Sequence, residues 1–165
     1  MRLHYSLRSQ EGEMNVSIQQ ADFDVGAVMA ELRATSNNVG AMVSFVGLVR
    51  DMSYDEKIDN ILVEHYPGMS EKALNKIIDE AIARWDLLAV RVIHRVGILG
   101  PNEQIVLVAT ASSHRGHAFS GCEFIIDYLK TDAPFWKKEV NRQGGEWVVT
   151  KDSDVQRMQR WDSQR

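Results

Sequence analysis

Between positions 69 and 85, apolar side chains return every three or four residues. Met69, Ala73, Leu74, Ile77, Ile78, Ala81, Ile82 and Trp85 share one face of a 3.6-residue period. Glu71, Lys72, Lys76, Asp79 and Glu80 make the other face polar. A stripe of this kind is stable only against another apolar surface, so the chain must fold as packed layers around it. Ser70 is the predicted N-cap, just after the stop at Pro67-Gly68. A second helix is predicted over 116–131, with Ala118, Cys122, Ile125, Ile126 and Leu129 on its core stripe. It ends at Asp132-Ala133-Pro134, because proline disfavours helix in the residue before it. Asp24 caps a shorter helix carrying Val25, Val28, Met29 and Leu32, which Thr35-Ser36-Asn37-Asn38 breaks. A final helix is expected over 153–161.

The segments between these helices have strand composition. Residues 40–50 read as a buried strand entered at Gly40 and bulged at Gly47. Further strands are predicted at 16–18, 58–66, 89–96, 104–112 and 146–150. Residues 51–59 read as a mobile polar loop, 97–102 as a turn, 135–139 as a turn or short helical piece, and Gly144-Gly145 as a turn. The order predicts an α/β or α+β fold with a mixed sheet. The reading is one domain over 16–165, behind an unassigned N-terminal stretch, 1–15, within which Met14 is an alternative start.

Composition narrows the class. A chain of 165 residues has the length of one ordinary domain. With 11 glycines and 3 prolines it is neither collagen-like nor low-complexity. The single Cys122 rules out an internal disulfide or a Cys-cluster metal site; it reads as a small core residue. No apolar run approaches the roughly 20 residues that cross a bilayer, and the opening residues lack a signal-peptide core. The expectation is a cytoplasmic protein with no membrane partner. A net charge of −4 argues against a general nucleic-acid binder, but a small basic pocket needs only a few cations.

Some polar residues stand where ligands bind. Ser113-His114-Arg115 joins a strand to a helix N-terminus, a position that attracts anions. The alternative is that Ser113 caps the helix while His114 and Arg115 are simply solvated. Lys130 falls near a helix C-terminus, where the macrodipole alone accounts for a cation. Lys137, beside Trp136 and Lys138, reads equally as a solvated loop cation. Arg50 closes an apolar strand and is suited to a strand-end crevice. His65 and His94 read as structural. From the residues alone the chain carries a modest anion pocket, with no phosphate loop, metal-binding His pair or nucleophile elbow.

Several segments taken together resemble a known family. They are residues 40–50, Glu64-His65-Tyr66-Pro67-Gly68-Met69, His94-Arg95-Val96-Gly97, Ser113-His114-Arg115, Asp127-Tyr128-Leu129-Lys130-Thr131 and Ala133-Pro134-Phe135-Trp136-Lys137-Lys138-Glu139. In this order and spacing they resemble the large, catalytic subunit of molybdopterin synthase, over nearly the whole chain. The resemblance implies an α/β hammerhead with an additional antiparallel β subdomain, and a homodimer. It implies a partner, a small ubiquitin-like sulfur carrier ending in a Gly-Gly thiocarboxylate, within a 2:2 heterotetramer. The substrate it implies is cyclic pyranopterin monophosphate, converted to the dithiolene of molybdopterin without metal or cofactor.

By the same resemblance, Lys130 and Lys137 are catalytic, while Arg50, His114, Arg115, Lys138 and Glu139 bind substrate. Lys151 matches a basic position that reaches the neighbouring subunit's pocket; the family often has arginine there. The chemistry fits, since thiocarboxylate is already a sulfur nucleophile and the protein must offset anionic charge and move protons. Lys130 is expected to work directly in sulfur transfer and Lys137 to assist. A competing reading is a non-catalytic dimeric binding module for a ubiquitin-like protein, against which both lysines argue.

Overall fold

The computed structural model describes residues 15–53, 56–141 and 143–164. In chain order they form β1 (Val16–Gln19), α1 (Val25–Ala34), β2 (Ala41–Leu48), β3 (Met52–Ser53), β4 (Glu56–Lys57), β5 (Asn60–His65) and α2 (Met69–Trp85). Then come β6 (Ala89–Arg95), β7 (Gly97–Leu99), β8 (Gln104–Ser112) and α3 (Arg115–Thr131). β9 (Phe135–Asn141), β10 (Gly144–Trp147), α4 (Asp152–Gln159) and a 3-10 turn at Asp162–Gln164 complete the order. One four-stranded sheet runs β1-β6-β8-β2, antiparallel except for the β1–β6 pair. A second, β10-β9-β5-β7, is antiparallel throughout. The expected α/β architecture with an added antiparallel β subdomain is the one the chain adopts. Of the unassigned stretch 1–15, all but Asn15 lies outside the described residues. No described helix is long and apolar enough to cross a membrane.

β8 explains the layering. Leu107, Ala109 and Ala111 pack with Val28 and Leu32 of α1. The alternate residues Val106 and Val108 pack with Leu74 and Ile78 of α2 and Phe124 and Ile125 of α3. A strand covered on both faces reads as an unbroken apolar run, which is how 104–112 looks in sequence. Cys122 belongs to this core, its thiol pushed up to about 12 by burial. Asp24 caps α1 as expected, its side chain accepting from the Ala27 N–H at 3.0 Å. The predicted irregularity at Gly47 is a register shift between Gly47 and Leu48.

Six expectations are corrected. Ser70 does not cap α2; Gly68 does, at φ 82°, with its N–H donating to Glu71 Oε2 at 2.7 Å. Ser70 is instead buried, and its hydroxyl donates to the Pro134 carbonyl at 3.0 Å. Met69, assigned to the core stripe, is exposed. Within 51–59, β3 and β4 pair, Met52 with Lys57 and Ser53 with Glu56, while residues 54–55 lie outside the described set. The 97–102 turn begins as strand, because Gly97 at φ 91° lets the chain leave the first sheet one residue after β6 and pair with β5. Finally, 135–139 is neither turn nor helix but the first part of β9, paired with β5 from His65↔Phe135 to Asn60↔Val140. Gly144-Gly145 likewise opens a strand.

Candidate active site

The site grows from the end of α3 and the start of β9. Asp127, Leu129, Lys130 and Thr131 divide the labour of one helical turn. Asp127 is buried and accepts from Trp161 Nε1 at 2.8 Å and Arg160 Nη2 at 3.0 Å. Leu129 enters the main core. The Thr131 hydroxyl donates back to the Asp127 carbonyl at 3.1 Å, closing the helix end. Lys130 is left outward, half exposed, its Nζ 4.0 Å from Asp154 of α4. After Ala133-Pro134 the chain becomes β9, where side chains alternate between faces. Phe135, Lys137 and Glu139 share one face, and Trp136 and Lys138 the other.

Phe135 sits where the two sheets meet, packing against both their cores. His94, near the end of β6, stacks on it with ring centres 3.9 Å apart and planes 13° from parallel. Together with Leu129, Lys130 and Lys137 these rings line a recess of about 160 Å³. It adjoins a wider cleft of about 870 Å³, reaching the end of β2 at Arg50, within the range of small-molecule sites. Lys130, Lys137, Lys151 and Asp154 line both. Around the cleft, Arg50, Lys130, Lys137 and Lys151 oppose three carboxylates, Glu139, Glu146 and Asp154. A chain of net charge −4 thus gathers a local cationic excess.

Two groups here are electrostatically perturbed. Burial, and then the charge of Lys130, hold the Lys137 ammonium below the usual lysine range, against the opposing pull of Asp154 and Glu139. His94 is 1% exposed, and burial with the nearby Lys137 charge pushes its pKa down to about 3. It is therefore neutral at working pH. Its Nδ1 lies 2.8 Å from the Arg95 carbonyl, which can only accept, so Nδ1 carries the hydrogen and Nε2 the lone pair.

Of the residues singled out in the sequence, the fold brings Arg50, Lys130, Lys137, Glu139 and Lys151 around one cleft. Lys151 lines the cleft of its own chain. Lys138 does not line it; its Nζ lies 5.7 Å from the Trp147 ring centre. His114 and Arg115 are exposed at the far end of α3, sixteen residues from Lys130, about 24 Å at 1.5 Å per residue. Ser113 is not the cap; His114 occupies that position without a side-chain capping bond, 5.8 Å ring to ring from His117. Sequence reasoning missed Asp154 and read His94 as structural only. A histidine at the end of an apolar strand was the available signal.

The MoaE protein family model matches residues 18–132, more than half the chain. The chain belongs to this family. Lys137, Glu139 and Lys151 lie beyond the matched span. The molybdopterin synthase catalytic subunit of Ralstonia nicotianae is 54% identical over 146 residues, covering 88% of this chain and 83% of the relative. That of Vibrio cholerae is 51% identical, covering 89% and 97%. Among solved structures, the molybdopterin biosynthesis MoaE protein from Burkholderia ambifaria has a TM-score of 0.78 at 50% identity, covering 90% of this chain and 97% of that one.

Proposed function

We propose that this protein is the catalytic subunit of a cytoplasmic molybdopterin synthase. It moves sulfur from the C-terminal thiocarboxylate of a small ubiquitin-like carrier onto cyclic pyranopterin monophosphate. The observation that carries this reading is the Lys130–Lys137 pair in one cleft, with Lys137 held below its usual pKa. Both reactants are anions, and the cationic cleft offsets their repulsion. Sulfur is already nucleophilic in the thiocarboxylate, so the protein's task is charge and proton handling. Lys130, outward and charged beside Asp154, suits the stabilisation of developing negative charge. Lys137, more easily neutral, suits proton transfer. Arg50 and Glu139 bind substrate at the cleft edge, and Lys138 acts from beside it. Two transfers are needed per dithiolene, so spent carrier must leave, which favours a reversible interface.

His114 and Arg115 enter this reading through a second copy of the chain. The length of α3 keeps them from the Lys130 end of their own subunit, so a homodimer with a shared site, in a 2:2 complex with the carrier, accounts for them. Lys151, at the cleft margin, is available to a neighbouring site as well. Purified thiocarboxylated carrier and the cyclic pterin are expected to give a dithiolene product with wild-type protein and none with Lys137→Ala. A wild-type protein that binds the carrier yet forms no product refutes the reading. For the shared site, Lys130→Ala and Arg115→Ala subunits are mixed under conditions of proven exchange. Partial recovery of activity is expected, and none is predicted if each subunit holds a complete site.

A further inference from the structure

His94 has an atom that the fold leaves unused. Its ring is almost wholly buried, stacked on Phe135, with Nδ1 committed to the Arg95 carbonyl. Nε2 has no hydrogen-bond partner among the described residues. Yet the one sealed, unpartnered side-chain polar atom among them is His117 Nδ1, so Nε2 is not sealed but opens on the recess that His94 lines. Lys137 lines the same recess and follows Phe135 by two residues on the same strand face. No direct bond joins the two side chains, and about 160 Å³ has room for a water between them.

We propose that His94 is a positioning residue for Lys137: Nε2 accepts a hydrogen bond, bridged by one water, from the Lys137 ammonium. This rests on the role proposed for Lys137 above. The groups facing Lys137 are Lys130 from α3, Asp154 from α4, Glu139 on its own strand, Lys151, and His94. The cations favour the amine and the carboxylates favour the ammonium. A neutral acceptor supports the ammonium without a countercharge, so Lys137 can both hold and release a proton. A carboxylate at position 94 would pin the proton, and an apolar ring would drive it off.

The test is the pH dependence of Lys137 labelling by acetic anhydride, read by mass spectrometry on the full chain. His94→Phe, which keeps the stack on Phe135, is expected to lower the apparent pKa of Lys137 by about one unit, tenfold in the ammonium–amine ratio. His94→Gln, which restores an acceptor, is expected to recover at least half of that shift. The kcat–pH profile should move with it while KM for the pterin changes less than twofold. A labelling profile unchanged in His94→Phe overturns the proposal. Should that variant not fold, nitrogen NMR of wild-type His94 decides: Nε2 must be unprotonated and must shift as Lys137 titrates, an effect lost in Lys137→Met. A protonated or unresponsive Nε2 overturns it equally. The labelling and NMR readouts do not depend on sulfur transfer. A wild-type protein lacking that activity would therefore refute the proposed function while leaving this assignment to its own result.

Discussion

Replacing Asp127 by alanine tests how the Lys130 end of α3 is held. The carboxylate accepts two hydrogen bonds on one oxygen, from Trp161 Nε1 at 2.8 Å and from Arg160 Nη2 at 3.0 Å. The second is worth little alone, because the Arg160 side chain is 40% exposed and keeps Glu123 at 2.6 Å. The first is different. Trp161 is 5% exposed and packs edge-on against Trp85 and Phe124 at 5.3 and 5.6 Å, so a buried N–H loses its acceptor once Asp127 is gone. A hydrogen bond to a charged group contributes about 1.5–3 kcal/mol, and an unsatisfied buried donor keeps the loss at the upper end. The sum is about 3 kcal/mol. At about 3 °C per kcal/mol for a chain of this size, the melting temperature should fall by about 9 °C. Calorimetry on Asp127→Ala reads this directly, and Glu123→Ala, which spares the Trp161 bond, should cost less than about 1 kcal/mol. A loss below 2 °C in Asp127→Ala, or equal losses in the two variants, would refute the reasoning. α4 runs directly into Arg160 and Trp161 and carries Asp154, so sulfur transfer well below the melting point should fall in Asp127→Ala too.

At Gly40, an added Cβ would press into the Ser113 carbonyl oxygen, a backbone atom with no rotamer to yield. Gly40→Ala should therefore lower the melting temperature and reduce pterin binding by displacing His114 and Arg115, both measurable on the purified variant. Lys137 has a folded pKa below its unfolded value, so its charged form is a burden that is relieved as pH rises through the folded pKa toward 10.5. Lys137→Met should be more stable than wild type near pH 7, with a gap in urea melts that closes as pH approaches 10.5; a constant gap would contradict this. His94 has the same sign at lower pH: its pKa is about 3 folded and 6.5 unfolded, so stability is full above pH 6.5 and falls toward pH 3. The loss is up to about 4–5 kcal/mol, and His94→Phe should flatten that part of the stability–pH curve.

The main layer was legible because its signals are local. The α3 stripe, the α2 stripe beyond Met69, the Asp24 cap and the β8 strand each carry their period or composition within one segment, and each forms as expected. Ser70 misled because serine before an apolar period resembles a cap, whereas this hydroxyl bridges to Pro134, sixty-four residues away. Only the fold creates that partner. His94 reads as structural in the sequence, and the fold buries it and stacks it on Phe135; the further role proposed for it depends on the position of Lys137, which no spacing discloses.

β9 shows the limit most clearly. After Pro134, the run Phe135-Trp136-Lys137-Lys138-Glu139 has too few β-branched residues to announce a strand and too short a span to announce a helix. Its conformation comes from β5, which pairs with six consecutive residues of it, and from β10 on the other side. Strand preference of this kind is a property of the neighbours more than of the segment. The chemical consequence is large, because a strand sends adjacent side chains to opposite faces where a helical turn would splay them over a third of a circle. Lys137 therefore goes to the recess and becomes perturbed by burial and by Lys130, while Lys138 lies over Trp147. Two lysines that read as one basic pair are separated by the pleat, and the difference in their chemistry begins there.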